Sequence, residues 1–262
     1  SLYIRKEVNR IGRAVLVFDA GNMPEEDIPE SNDDSFSPGK RILINAGYDN
    51  NENPVFEGIV TSHNLVVEEG NESYIQIECR DYAYPSTQVR KNRIFEKKKD
   101  SEAIKQIVDE YPILTASIDK TSTPYNELVQ YYCTDWDFIL SRAEANGLIV
   151  TTDRKDIRVK KPEVNAKAKL KVTYGMDRIL FKGELIAEEQ PDGIKATAWD
   201  LSKQEIISID ATKPSLNKQG KDRPADMAKA VGNNKQCCQK DLCADNARVP
   251  EWGDGQRMRI GR

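Results

Sequence analysis

Apolar and polar residues alternate along the first part of the chain with the period of two that is typical of half-buried β-strands. Apolar runs occupy residues 14–18, 42–44 and 55–67, and an alternating run covers residues 73–82. The Glu-Glu-Gly-Asn sequence at 68–71 separates the last two runs and predicts a hairpin. Together these runs predict an antiparallel meander.

Between residues 100 and 147 the apolar positions recur every three or four residues, which predicts three helices. The first is predicted over residues 100–111, with a cap at Asp100-Ser101. The second is predicted over residues 123–132, because Thr followed by Pro is a common helix start. The third is predicted over residues 134–147, with Thr or Asp as its cap and glycine as its stop.

The β-type alternation returns after the third predicted helix. The predicted strands cover residues 148–152, 157–159, 171–174, 179–187, 194–201 and 205–209. A short helix is predicted at 224–231. Residues 232–256 are polar without a sustained period, which is typical of a linker or peripheral segment.

Two parts of the chain resemble each other and indicate an internal duplication. Residues 55–60 read Val-Phe-Glu-Gly-Ile-Val, residues 180–185 read Leu-Phe-Lys-Gly-Glu-Leu, and each is followed by an alternating run that ends at Asp. The matched pairs are Phe56 and Phe181, Gly58 and Gly183, and Asp81 and Asp200. A duplicated β-unit can place two similar surfaces around an axis. It therefore favours a ring-forming structural protein over an enzyme with one pocket.

Composition and charge narrow the range of partners. The chain has 262 residues, of which 38% are hydrophobic and 31% charged, and its formal net charge is −4. This balance gives no reason to expect binding to nucleic acid. No stretch approaches the roughly 20 apolar residues that a membrane-spanning helix needs.

The cysteines and the single histidine do not form a metal-binding pattern. Cys79 and Cys133 lie in apolar runs and are predicted to be reduced core residues. Residues 237, 238 and 243 are also cysteines, and they are predicted to lie on a loop or helix. Adjacent cysteines cannot easily chelate one ion, and His63 is distant in sequence. The sequence predicts neither a metal nor a cofactor.

No catalytic residue is predicted either. A chain with one histidine and no G-x-S-x-G or phosphate-binding glycine motif lacks the usual parts for nucleophilic catalysis. Asp135 and Asp137 flank a tryptophan at a helix start, where carboxylates serve the helix dipole. Asp81 and Asp200 are predicted to shape the turns at strand ends. The chain is therefore predicted not to be an enzyme.

The third predicted helix carries the most specific motif of the chain. Residues 134–148 read T-D-W-D-F-I-L-S-R-A-E-A-N-G-L, which resembles the pattern S-D-W-D-F-L-x-R-x-E-x-x-G. That pattern belongs to the hub domain of contractile injection systems. The family includes the VgrG spike proteins of type VI secretion, the hubs of extracellular injection particles, and the baseplate hub and protein D of contractile phage tails. The motif residues here are Trp136, Phe138, Arg142, Glu144 and Gly147.

Other segments extend the resemblance over most of residues 40–210. Residues 79–95 resemble the stretch that closes the family's first barrel, and Phe56-x-Gly58 resembles its F-x-G-x-V strand. The resemblance implies a mainly β fold of the α+β type, with two similar antiparallel β-barrels and a helix-containing insert. The expected domains are a first barrel at 1–95, an insert at 96–165, a second barrel at 166–212 and a tail at 213–262. The tail would lead toward an OB-like spike domain.

The resemblance also implies a function in a phage-tail-like baseplate. Three chains would form a homotrimer whose six barrels make a pseudo-sixfold ring. One face of the ring would meet a hexameric tail tube protein, and the other would carry a trimeric spike or spike-tip protein. Baseplate components and effector cargo are further expected partners. The protein would be assembled in the cytoplasm and released or translocated when the apparatus fires.

The sequence is also compatible with two other functions. The chain could be a hub fused to a hydrolase, or an unrelated β-rich hydrolase. It could also be a secreted or surface carbohydrate-binding β-module. Self-assembly separates the hub from the carbohydrate-binding module, and activity on cell-wall substrate tests the hydrolase.

Overall fold

The computed structural model describes residues 1–21, 28, 31, 34–49, 51–67, 73–163, 166–167, 171–173, 175–176, 193–200, 203–210, 224–232 and 236–240. The chain divides into two compact units. The first unit comprises Ser1–Arg142 and Ile149–Lys160, and the second comprises Ala143–Leu148 and Lys161–Arg262. The described elements are mainly β, as the sequence predicts.

The first unit begins with a five-stranded antiparallel sheet. Its strands are β1 (Leu2–Arg5), β2 (Arg13–Asp19), β3 (Arg41–Tyr48), β4 (Asn51–Val67) and β5 (Ser73–Arg80), in the order β1-β2-β5-β4-β3. β-Bulges interrupt the pairing of β3 with β4 and of β4 with β5. One 3₁₀ turn, Asp34–Phe36, precedes β3, and another, Tyr84–Thr87, follows β5. The predicted meander is confirmed for β3, β4 and β5, but β2, which contains residues 14–18, pairs with β5 rather than with β3.

The core of this sheet follows from the alternation in β5. Ile75, Ile77 and Cys79 are each fully buried, whereas the residues between them are only partly buried. They pack in one cluster that also includes Phe56 and Val60 of β4. Burial raises the pKa of the Cys79 thiol to about 11. The thiol therefore stays protonated and serves as a core side chain.

The rest of the first unit combines a β-ribbon, two helices and a small sheet. Its elements are β6 (Arg90–Lys99), α1 (Asp100–Val108), β7 (Thr115–Ile118), β8 (Pro124–Thr134), α2 (Asp135–Ala145), β9 (Ile149–Asp153) and β10 (Asp156–Lys160). The last three residues of α2 are assigned to the second unit. β6 pairs antiparallel with β8. β10 lies between β7, which is parallel to it, and β9, which is antiparallel.

The predicted second helix is wrong, because residues 124–134 form strand β8. The apolar residues Leu128, Val129 and Tyr132 suit a helix face by their spacing. In the structure, however, Leu128 and Gln130 are buried while Val129 and Tyr131 are exposed, which is the period of a strand. Pairing with β6 overrides the helical spacing.

The predicted start of the first helix also needs correction. Its cap is Lys99, the last residue of β6, rather than Asp100-Ser101. The Lys99 backbone N–H donates to the Glu102 carboxylate at 2.9 Å. Asp100 is the first helical residue, and its carboxylate accepts hydrogen bonds from another element. The third predicted helix is confirmed as α2.

The second unit contains a three-stranded sheet and one short helix among its described residues. The elements are β11 (Ile194–Asp200), β12 (Glu205–Asp210), α3 (Pro224–Ala230) and β13 (Gln236–Lys240). β11 pairs antiparallel with β12 and parallel with β13. The predicted strands near 194–209 and the short helix are confirmed. Residues 171–173 are not a strand, and residues 179–187 lie outside the described residues.

The linker prediction for residues 232–256 is wrong at β13. Cys237 and Cys238 lie on this strand, opposite Lys195 and Ala196 of β11, rather than on a loop or helix. A polar sequence without apolar alternation gives no strand signal. The strand forms because β11 offers an edge to pair with.

The two alternating runs of the internal repeat bury equivalent positions. In β5 these are residues 75, 77 and 79, and in β11 they are residues 194, 196 and 198. Each run leads to the Asp of the repeat. The strands beside them differ, since β5 has two antiparallel neighbours and β11 has a parallel neighbour in β13. The repeat therefore extends to core positions but not to all strand pairings.

Candidate functional site

Helix α2 begins at a buried carboxylate that receives four hydrogen bonds. Asp135, the first residue of the helix, is completely buried. Its donors are Lys91 Nζ at 2.7 Å, Arg93 Nη2 at 3.2 Å, Tyr111 Oη at 2.6 Å and Gln130 Nε2 at 2.9 Å. The carboxylate thus joins β6, β8 and the segment after α1 to the start of α2.

Asp135 and its four donors are called the Asp135 frame below. The electrostatics of this frame keep Asp135 ionised. Burial acts to raise its pKa, but hydrogen bonds from Lys91, Tyr111 and Gln130 and the charge of Arg93 outweigh burial and lower the pKa. The pKa of Tyr111 is raised, first by burial and then by its hydrogen bond to Asp135. Tyr111 therefore remains a hydrogen-bond donor. A carboxylate held by four donors stabilises structure and is a poor general base.

The cap of α2 is Thr134, which settles the choice between Thr134 and Asp135. The Asp137 backbone N–H donates to the Thr134 hydroxyl oxygen at 3.1 Å. At the other end of the motif Gly147 has φ +66°, and its N–H donates to the Glu144 carbonyl at 3.1 Å. This left-handed conformation favours glycine and ends the helical segment as predicted.

The motif arginine joins α2 to two other elements. Arg142 Nε donates to Asp100 Oδ1 at 2.7 Å, and its Nη2 donates to the Tyr125 hydroxyl at 3.0 Å. The guanidinium also lies 5.3 Å from the centre of the Tyr125 ring. Burial lowers the pKa of Arg142, but the Asp100 charge outweighs this and the pKa is raised. Arg142 thus fixes the angle of α2 against α1 and β8.

The aromatic motif residues occupy different positions. Phe138 is buried and stacks on Phe95 of β6, with ring centres 5.5 Å apart and planes at 22°. Trp136 is 5% exposed and lines a cleft of about 370 Å³. The cleft is otherwise lined by residues of β1, β2 and the segment between them, and by Arg80 at the end of β5.

The first-copy residues of the repeat lie close together. A Cβ atom built on Gly12 would lie 3.5 Å from the Asp81 Cβ and 3.8 Å from the Phe56 ring. A Cβ on Gly58 would lie 2.1 Å from the Arg80 carbonyl oxygen and 3.0 Å from Phe56. Phe56, Gly58 and Asp81 therefore form one cluster. At Gly58, β4 lies too close to the end of β5 for a side chain.

Asp81 holds the turn that follows β5, as the sequence predicts. Its backbone N–H donates to the Gly12 carbonyl at 3.0 Å, and its Oδ1 accepts from the Ala83 N–H at 2.9 Å. Burial raises the pKa of Asp81 to about 6, although hydrogen bonds from Ala83 and Thr152 act in the opposite direction.

Of the three second-copy residues of the repeat, only Asp200 is among the described residues. Phe181 and Gly183 lie outside the described residues. Asp200 ends β11 and pairs with Glu205 of β12. Its role at a strand end stays a prediction.

Several residues of the Asp135 frame were not predicted. Lys91 and Arg93 stand two positions apart on a strand and so reach the same side, which is a signal that the sequence does contain. The sequence pattern places Tyr111 in the first predicted helix, over residues 100–111. It places Gln130 in the second, over residues 123–132. No sequence signal marks Gln130 as buried, because its burial depends on the amide bonding to Asp135.

Among the described residues, no group of three or more His, Cys, Asp or Glu side chains is arranged to hold a metal ion. In the same part of the chain, no helix combines the length and apolar character needed to cross a membrane.

Comparison with solved structures identifies the fold. The 43 kDa tail protein of prophage MuSo2 from Shewanella oneidensis matches with a TM-score of 0.67 and 12% identity, over 99% of this chain and 78% of that chain. A tail protein from Neisseria meningitidis MC58 matches with a TM-score of 0.59 and 12% identity, over 95% and 68%. At such low identity the similarity establishes the fold alone. The chain therefore has the fold of phage tail proteins.

A further match is weaker. The Francisella PdpA-VgrG complex in its lidded form aligns with a TM-score of 0.49 and 14% identity, over 94% of this chain and 38% of that chain. This score is too low to establish a common fold. No curated protein matches the sequence. The model of one protein family, the Alg8 N-terminal domain, matches residues 1–261. The chain belongs to the Alg8 N-terminal domain family.

Proposed function

We propose that the chain is a structural hub protein of a contractile injection apparatus. In this role three copies join a hexameric inner tube to a trimeric spike. The observation that carries the proposal is the fold shared with the MuSo2 tail protein over nearly the whole chain. The protein acts by assembly and performs no catalysis.

The charged groups near α2 support a structural role. Asp135 and Arg142 both lie in the motif at residues 134–148 that resembles the hub pattern. Both form hydrogen bonds with other residues of the first unit. Groups that are held in this way give a rigid frame. A rigid frame is suited to a part that transmits force.

An exposed apolar area supports contact with other chains. Ile94 of β6 and Val129 of β8 face each other across the ribbon, and they are 61% and 52% exposed. Tyr131, also on β8, is 81% exposed. A contiguous apolar area on a protein surface is typical of an interface. In the proposed trimer this ribbon lies against a neighbouring copy.

The remaining partners follow from the same role. The tube protein, the spike or spike-tip protein and the baseplate components contact the ring, and cargo travels with the spike. Assembly takes place in the cytoplasm, and the protein leaves with the apparatus when it fires. The machine is a type VI apparatus, an extracellular particle or a phage tail.

Light scattering behind size exclusion tests the proposal. We expect a particle of three times the 29.7 kDa chain mass. Val129→Glu places a charge in the apolar area and should shift the particle toward the monomer mass. A particle that is monomeric at every concentration, or a trimer that is unchanged by Val129→Glu, would contradict the proposed ring or its contact surface respectively.

A further inference from the structure

The cleft beside Trp136 has a strongly positive lining. Four arginines contribute to it: Arg5, Arg10, Arg13 and Arg80. Among the described residues that line it, Glu7 is the only carboxylate. This composition contrasts with the whole chain, whose net charge is −4. Positive charge is therefore concentrated in this cleft.

The carboxylates near the cleft do not use all of the guanidinium donors. Glu7 accepts from Arg5 Nη2 at 2.7 Å and lies 3.6 Å from Arg10 Nε. Arg13 Nη2 donates to Glu78 at 2.7 Å, but its buried Nε has no acceptor. Arg80 forms no side-chain hydrogen bond or ion pair with any residue that the structure describes. Donors therefore remain for a further anion.

The chemistry of the lining favours carboxylate ligands. Guanidinium groups can bind planar carboxylates through paired N–H donors. Two of these arginines already bind a glutamate, each through one hydrogen bond. A volume of about 370 Å³ accommodates a few side chains. Buried Trp136 provides an apolar wall against which side-chain carbons can pack.

A nucleic acid fits these observations less well. Proteins that bind nucleic acid usually present a long basic surface on a basic domain. Here the sequence isoelectric point is about 5.4, so the chain as a whole is acidic. The four arginines of the cleft form a short cluster rather than a long basic surface.

We propose that this cleft binds an acidic peptide segment of a partner protein, through at least two carboxylate side chains. The site does not depend on the hub role, because it rests on the charges and geometry of the first unit alone. Arg10 and Arg80 hold the incoming carboxylates. Arg5 and Arg13 are already paired with Glu7 and Glu78 and contribute little net positive charge.

Fluorescence anisotropy with a labelled peptide that alternates Glu and Gly tests the site. The control peptide carries Gln at each Glu. We expect saturable binding of the Glu peptide alone, weakened by salt. Arg10→Gln combined with Arg80→Gln should weaken binding by at least about tenfold, because two charge-assisted hydrogen bonds are lost. Arg158→Gln is the matched control, since Arg158 is 47% exposed and lies outside the cleft.

Several outcomes would overturn the proposal. One is equal binding of the Glu and Gln peptides. Another is displacement of the peptide by inorganic phosphate at a similar concentration, which would indicate a small-anion site. Tighter binding of a single-stranded oligonucleotide would assign the cleft to nucleic acid. Arg10 is 69% exposed, so Arg10→Gln alone tests the site without disturbing the fold; unchanged binding by both the single and double variants would also contradict it.

Discussion

At the scale of single residues, Gly58 has no room for a side chain. A Cβ there would lie 2.1 Å from a backbone oxygen of the neighbouring strand, which cannot move without separating β4 from β5. We expect Gly58→Ala to lower the free energy of unfolding by about 3 kcal/mol. Urea denaturation measures this loss.

The matched control is Gly12→Ala in the same cluster. Its new Cβ would make ordinary contacts at 3.5 Å or more, so the change should stay within about 1 kcal/mol. Equal stability of the two variants would show that Gly58 does not mark a close approach of strands. The corresponding loss at Gly183 stays a prediction from the repeat.

Asp81 gives a prediction about pH. Burial raises its pKa from the usual 3.8 to about 6, so ionisation opposes folding. The contribution of Asp81 to stability is therefore highest at low pH and falls as the pH rises from about 4 to 7. Asp81→Asn removes the charge and keeps an oxygen for the Ala83 N–H. Its stability relative to the natural chain should increase by about 2 kcal/mol between about pH 4.5 and pH 8.

Asp156→Asn is the control for this titration. Hydrogen bonds from Thr115 and Arg158 lower the pKa of Asp156, so its charge favours folding above its unfolded pKa. The stability difference between this variant and the natural chain should change with pH in the opposite direction and by less. A stability difference for Asp81→Asn that does not vary with pH would contradict the assigned burial of Asp81.

At the scale of elements, α2 is held by the buried pair of Arg142 and Asp100. Removing one partner leaves the other charge buried, whereas removing both leaves neither. In a double-mutant cycle with Arg142→Met and Asp100→Asn we expect a coupling energy of about 2 kcal/mol. Thermal or urea unfolding of the four proteins gives this energy.

An exposed pair on α1 provides the comparison for this cycle. Lys105 Nζ lies 2.7 Å from Asp109 Oδ2, and the two side chains are 61% and 57% exposed. The same substitutions, Lys105→Met and Asp109→Asn, should give a coupling below about 0.5 kcal/mol. If the two cycles gave equal coupling, Arg142 would not fix α2.

Elements with local signals could be predicted from the sequence, and those that depend on distant partners could not. Helix α2 was predicted because Thr134, the apolar spacing and Gly147 all lie within one segment. Strand β8 was missed because one of its buried residues is Gln130, and a polar residue contributes nothing to a hydrophobic pattern. Its buried amide nitrogen donates to the Asp135 carboxylate and to the Cys133 carbonyl, which the sequence does not reveal. Strand β13 was missed for a related reason, since its pairing with β11 defines it.

The same distinction applies to the candidate site. The motif residues of α2 and the cluster of Phe56, Gly58 and Asp81 were found from sequence patterns. The arginine cleft was not, because Arg80 is separated by many residues from the segment that contains Arg5 and Arg10. The sheet order β1-β2-β5 brings these residues together.

At the scale of the whole molecule, the chain contains two compact units, and both contain a strand with the burial pattern of the repeat. A chain with two related units can form six similar positions from three copies. In a closed ring the exposed strand edges can be covered by neighbouring copies, which reduces the risk of uncontrolled association. This arrangement is the central claim of the proposed function.

Electron microscopy of the purified particle tests that claim most directly. We predict two-dimensional class averages of a closed ring with threefold symmetry and six lobes, surrounding a central channel. The proposed hub role requires these lobes to be similar, as the internal repeat predicts. Class averages of a compact single copy, or of a twofold dimer without a channel, would contradict the proposed hub.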